Sequence, residues 1–190
     1  NQARALLRQA LGHLRRSGDD RGLAQALCHV ARVEHDEGNY EAVQAVTQES
    51  VELGTFIGSR WYVVVANRIR ARAALVQGDL ESAERYRSQN LEMAQEAGDI
   101  LGAAIHMVAL GNVAVLLGDT SRANELYETC AALRERLGER PAIGWANLYR
   151  GRIAHNAVLR ARGLRQSLVC FGHVDEPRAQ DRPRLVYSYH

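Results

Sequence analysis

Apolar residues recur along this chain at helical spacing, in blocks that end on glycine. Residues 1–17 set Ala3, Leu6, Leu7, Ala10, Leu11 and Leu14 at i, i+3, i+4 and i+7 intervals. The same spacing predicts helices over 20–37, 39–56, 60–77, 79–97, 99–117, 119–137 and 140 to about 156. Gly-Asn or Gly-Asp pairs at 38–39, 78–79 and 118–119 supply a left-handed helix stop and then a side-chain acceptor for the next helix start. A shift of 40 residues superimposes Gly18, Gly58, Gly98 and Gly138, and equally Gly38, Gly78 and Gly118. The chain is therefore an internal repeat of helix pairs.

Small residues keep the same register. Val43, Ala83 and Ala123, with Ala3 before them, and Ala31, Ala71, Gly111 and Gly151 mark expected crossing points of paired helices. Residues 100–117 are almost wholly apolar and long enough to suggest a membrane span. The copies of that helix argue against it, since they carry Asp20, Arg21, Arg32, Glu34, Asp36 and Glu37, or Arg60, Arg68, Arg70 and Arg72. A middle helix packed on both sides is the better reading.

Three places break the pattern. Gly54 arrives ahead of Gly58, which predicts an irregular close to the helix over 39–56. Pro141 suits the first turn of a following helix. The segment L-R-Q-S-L at 164–168 matches L-R-Q-A-L at 7–11 with an offset of 157, three short of four repeats, so a tighter junction is expected near 158–163. The domain reading is a helix at 1–17, pairs at 20–57, 60–97, 99–137 and 140–174, one repeat domain over 1–175, and a tail at 176–190 with Pro177 and Pro183. Asn1 falls in register just after a turn, from which a larger parent protein is expected.

The runs G-N-Y-E-A at 38–42, G-D-L-E-S-A at 78–83 and G-D-T-S-R-A at 118–123, each a turn followed by a spaced small residue, resemble the tetratricopeptide (TPR) family. The repeat is 40 residues rather than the usual 34, and Tyr40 alone keeps an aromatic where Leu80 and Thr120 stand. The likeness is greatest to TPR sensor regions of large bacterial LuxR-type and other ATP-dependent transcriptional regulators. It implies an all-α, right-handed superhelix whose first helices line a concave groove. It places Gln25, Cys28, Arg32, His35 and Asp36 in that groove, then Val65, Arg68, Arg72, Leu75 and Val76. Ile105, Val108, Asn112, Val115 and Leu116 follow, then Trp145, Leu148, Arg152, His155 and Asn156. The middle of the row is apolar and its flanks carry arginine. Two accounts of it stand side by side: an open groove, or a row buried as core by tight coiling.

Composition adds bounds. With 190 residues, 46% of them hydrophobic, the chain supports one domain with a continuous core. A net charge of +2 gives no electrostatic footprint for nucleic acid or an anionic membrane. All 24 basic residues are arginine, which fits a GC-rich bacterial coding sequence. Cys28, Cys130 and Cys170 show no C-x-x-C spacing and read as reduced thiols of a cytoplasmic protein. Cys28, Arg32 and His35 share a helical face, but residues seven apart lie about 10 Å apart along the axis, too far to chelate one ion. Neither a phosphate loop nor a hydrolase motif is present. No enzyme, metal or cofactor is expected. Two readings of function remain: a scaffold binding a protein or peptide with a carboxylate beside an apolar surface, or a small-molecule effector sensor of a transcriptional activator. Self-association through the terminal helices is expected as well, because the helix at 1–17 lacks a partner for Leu7, Leu11 and Leu14.

Overall fold

Left-handed glycines punctuate the chain every 20 residues. Gly18, Gly38, Gly58, Gly78, Gly98 and Gly118 all have φ between +66° and +93°. The computed structural model describes residues 2–137 and Gly151. Over residues 2–137 it gives α1 (Gln2–Ser17), α2 (Asp20–Asp36), α3 (Tyr40–Phe56), α4 (Arg60–Gln77), α5 (Leu80–Glu96), α6 (Ile100–Leu117) and α7 (Thr120–Arg136), with no strand among the described residues. The expected pair at 140–174, the Pro141 helix start, the 158–163 junction and the tail lie outside the described residues.

Each turn is built the same way. The N–H of the residue after the glycine reaches back five residues, as in Asp79 N–H to Ala74 O at 2.9 Å and Asp119 N–H to Ala114 O at 2.9 Å. This bond satisfies a carbonyl that the helix end would leave unpaired. The carboxylates of Asp19, Asp79, Asp99 and Asp119 then accept the N–H three residues on, at 2.8–3.0 Å. Asn39 makes no such cap and donates its amide to Glu34 Oε2 at 2.8 Å instead.

The irregular close expected for α3 is absent. Ser59 N–H bonds Gly54 O at 2.7 Å and Gly58 carries the left-handed φ, as in every other turn. Gly54 stays inside the helix because close packing excludes a side chain there: an added Cβ would stand 3.0 Å from Tyr62 Cβ.

Neighbouring helices pack in sequence order, and α2 also touches α4 directly, so the described chain is an all-α helical repeat solenoid. Its core is a succession of small clusters at the helix interfaces rather than one centre. Ala31, Val43, Ala71, Ala83 and Ala123 are fully buried at the crossing points. In the third repeat Gly111 takes the place of Ala31 and Ala71, because Tyr127 lies flat against it; a Cβ there would be 2.3 Å from Tyr127 Cε1. Gly151, expected to be a fourth crossing point, is exposed.

A polar contact also repeats. Ser50 Oγ donates to Ala24 O at 3.1 Å, and Asn90 Nδ2 donates to Val64 O at 2.9 Å, both partners displaced by one repeat. Each fastens a second helix to the first helix of its own pair by a bond that only a buried polar side chain can make.

The open face predicted for α1 is corrected. Leu11 is buried against Leu23 and Leu27, Leu14 packs on the same cluster, and Leu7 is half-buried. The row lies against the following pair, and the residues left open are Leu6 and Ala10. Among the described residues α6 is the one helix long and apolar enough to cross a membrane, and half of it is buried inside the fold between α5 and α7.

Candidate functional site

The first helices α2, α4 and α6 begin 40 residues apart, so equivalent positions on them form rows. Along the flank of this face Arg32 on α2 and Arg72 on α4 are exposed. Two acids of α2 are engaged with other groups. Glu34 takes Arg4 at 2.6 Å and the Asn39 amide, while Asp36 takes His35 Nδ1 at 3.2 Å. Among the described residues neither Arg32 nor Arg72 has an acidic partner within 4 Å. Arg70, between them in sequence, faces the other way: it is buried, donating Nε–H to Thr47 Oγ1 and Nη2–H to Gln48 Oε1, each at 2.8 Å. Burial pushes the Arg70 guanidinium below its usual range, although Tyr86 and Glu52 oppose that effect. It is a strut between α3 and α4.

The apolar centre of the row is partly open. Ile105 is 37% exposed, and Leu75 and Val108 are half-buried against their neighbours. Asn112 is half-buried and accepts the Tyr127 hydroxyl at 2.8 Å, which fixes its amide. Arg68 is half-buried on α4.

Val115 is a correction. It is 1% exposed and packs with Ala104, Ala114, Ala123, Tyr127 and Cys130, so it belongs to the core. The cluster joins it to Ala123 and Tyr127 of α7. Cys28 likewise leaves the expected row. It is buried, with Sγ 3.3 Å from Ser50 Oγ, and burial raises its thiol pKa. Trp145, Leu148 and Arg152, with His155 and Asn156, lie outside the described residues.

Two side chains that sequence reasoning missed extend the surface. Trp61 is 55% exposed and Leu101 48% exposed. They share one register position, a turn before Val65 and Ile105, and that repetition of large apolar residues was the available signal. Trp61 is steadied by Tyr62, edge-on at 4.9 Å between centroids. Direct contact joins α2 to α4, whereas α4 and α6 are linked chiefly through α5. The arginines and the apolar centre therefore sit on three successive first helices, not on one flat wall.

Among the described residues no three of His, Cys, Asp and Glu are grouped to hold a metal ion. An open surface depression of about 560 Å³ lies at the turn after α2, lined by Gly38, Asn39, Tyr40, Glu41, Ala42 and Gln77. The sequence matches no protein-family model and no curated protein.

Proposed function

We propose that this solenoid is a TPR-like, non-catalytic scaffold that takes a protein or peptide along the face of its first helices, within a larger bacterial regulatory protein of the cytoplasm. The partner carries a carboxylate beside an apolar surface. The observation that supports this is the occurrence, on the first helices, of exposed Trp61, Leu101 and Ile105 together with exposed Arg32 and Arg72, which have no acidic partner within 4 Å among the described residues. Exposed large apolar side chains in one region mark interaction sites. A guanidinium forms two parallel hydrogen bonds to a carboxylate, which gives direction as well as attraction.

Peptides selected from a displayed random library against the full chain test the reading. The winners are expected to combine apolar residues with an acidic side chain or a free C-terminus. Arg32→Gln with Arg72→Gln is expected to weaken them about tenfold, roughly 1.4 kcal/mol, and Trp61→Ala by a similar factor, with helicity and melting unchanged. Equal affinity for the variants and the parent chain would refute it. Selection of peptides without any acid would leave the arginines a solvated face.

A further inference from the structure

Along the first helices, exposed apolar side chains come before hydrogen-bond donors. On α4 the exposed Trp61 and half-buried Val65 stand in the N-terminal half, and exposed Arg72 in the C-terminal half. On α6 Leu101 and Ile105 are followed in the same way by Asn112, and on α2 the matching place holds exposed Arg32. Asn112 has its Oδ1 taken by the Tyr127 hydroxyl, so its amide has only N–H groups to offer. Arg32, Arg72 and Asn112 are therefore three donors in one register position.

Core packing sets these positions side by side. One cluster joins Ala31 of α2 to Ile69 and Ala73 of α4, and another joins Ala74 of α4 to Val113 of α6. Arg32 adjoins Ala31 in sequence, Arg72 adjoins Ala73, and Asn112 adjoins Val113. The donors thus follow one another across α2, α4 and α6, with the apolar positions on one side of them.

Two lengths limit what lies across this face. Val65 and Arg72, like Ile105 and Asn112, are seven residues apart on one helix, about 10 Å of rise. An α-helix with its side chains is about 10–12 Å wide, so one helix laid across reaches both the apolar and the donor positions. Packed helices lie about 8–10 Å apart, close to the rise over seven residues of such a crossing helix.

An extended segment meets the charges equally well but not the hydrogen bonding. The described residues hold no strand, so they offer no sheet edge to a second backbone. Along α6 the face presents Leu101, Ile105, Val108, Asn112 and Leu116, with Asn112 the one polar side chain among them. Extended backbone covered by that wall keeps N–H and C=O groups unpaired, which is costly, whereas a helix pairs its own.

We infer that the segment this face takes is an acidic amphipathic α-helix lying across α2, α4 and α6. Its apolar stripe meets Trp61, Leu101 and Ile105, and carboxylates seven residues apart on its flank meet Arg32 and Arg72. This helix depends on the partner proposed above, to which it adds a form and an orientation.

The test sets the full chain against two groups of synthetic peptides of about 20 residues, matched in leucine and glutamate content and long enough to cross three helices. All are acetylated and amidated, so none carries a terminal carboxylate. In one group leucines recur at i, i+3, i+4 and i+7 with glutamates along one flank, and in the other leucine and glutamate alternate. Binders are expected from the helical group only, and are expected to gain helicity on binding, read by circular dichroism. For the tightest of them, exchanging the flank glutamates for glutamine is expected to cost about tenfold in affinity against the parent chain, and nothing measurable against Arg32→Gln with Arg72→Gln.

Binders drawn equally or mainly from the alternating group would overturn the helix and leave the groove reading standing. Binders from neither group would overturn the helix, and the random library then decides the groove reading by itself. An equal loss from the glutamine exchange in both chains would overturn the stated orientation. Self-association of the parent chain that Trp61→Ala abolishes, measured by sedimentation, would assign the face to a second copy and overturn the helix as well.

Discussion

In the third repeat an aromatic ring occupies space that an alanine methyl fills in the first two. Tyr127 is 2% exposed, lies against Gly111 and donates to Asn112. The repeat spacing made Gly111 legible as a crossing point, but not the ring, because the equivalent positions hold Thr47 and Arg87. Gly111→Ala is expected to destabilise by about 2 kcal/mol, overpacking the contact more than the gain in helix propensity returns. In a Tyr127→Leu background the same change is expected to be neutral or stabilising, read from urea denaturation midpoints at constant m. Equal destabilisation in both backgrounds would mean the ring is not what Gly111 accommodates.

His106 was hidden for a different reason, since its environment comes from two other helices. Only its register, shared with Ala26 and Ala66, hinted that something unusual stood there. Burial, first, and then Arg87 and Arg68 hold it down to about 4 from an ordinary 6.5. Between those values the unfolded chain binds a proton that the folded chain refuses, so stability rises with pH across that window and falls on acidification. The loss from pH 7 to pH 4 is expected to reach about 3 kcal/mol from this group alone. His106→Gln is expected to flatten the profile between pH 6.5 and 4, measured by denaturation at each pH. A profile as steep as the parent's would assign the acid sensitivity to other groups.

At the scale of the element, helix bounds were readable to within a residue or so because the stop signals are chemical. Glycine supplies the left-handed stop, and aspartate supplies the next cap. Gly54 misled because a glycine in sequence does not say whether it ends a helix or admits a neighbour. Here Gly58 ends α3 and Gly54 makes room for Tyr62. The caps differ in a way that can be measured. Asp119 accepts the Arg122 N–H at 3.0 Å, whereas Ser59 makes no side-chain cap. Asp119→Ala is expected to cost about 1 kcal/mol and Ser59→Ala less than half of that. Equal losses in thermal or chemical denaturation would show that backbone bonds alone fix these turns.

At the scale of the whole molecule, contacts among the described helices run between neighbours in sequence, with α2 also meeting α4, so stability is a sum of local interfaces. The first-helix row was legible as a row because the 40-residue period carries positions from one helix to the next. Which members are open was not. Leu75 and Val115 share a register, yet Leu75 is half-buried at the edge of one cluster and Val115 is inside another, the one that holds Tyr127. The same logic sets α1 apart. It packs on α2 alone among the strong helix pairs, it buries Leu11, and it leaves Ala10 exposed where Ser50, Asn90 and Cys130 are fully buried. Amide hydrogen exchange in dilute solution is therefore expected to be fastest in α1, and slowest in α4 to α6, which have interfaces on both sides. Leu6, 59% exposed, adjoins that open side and gives a second copy of the chain an apolar surface to cover. Protection of α1 is accordingly expected to increase with protein concentration, while that of α4 to α6 stays constant. Exchange in α1 that is fast at every concentration would remove self-association through this helix and leave the one-dimensional account standing. Protection in α1 equal to that of α4 to α6 in dilute solution would remove that account as well, because a helix held on one side would then open no more readily than those held on two.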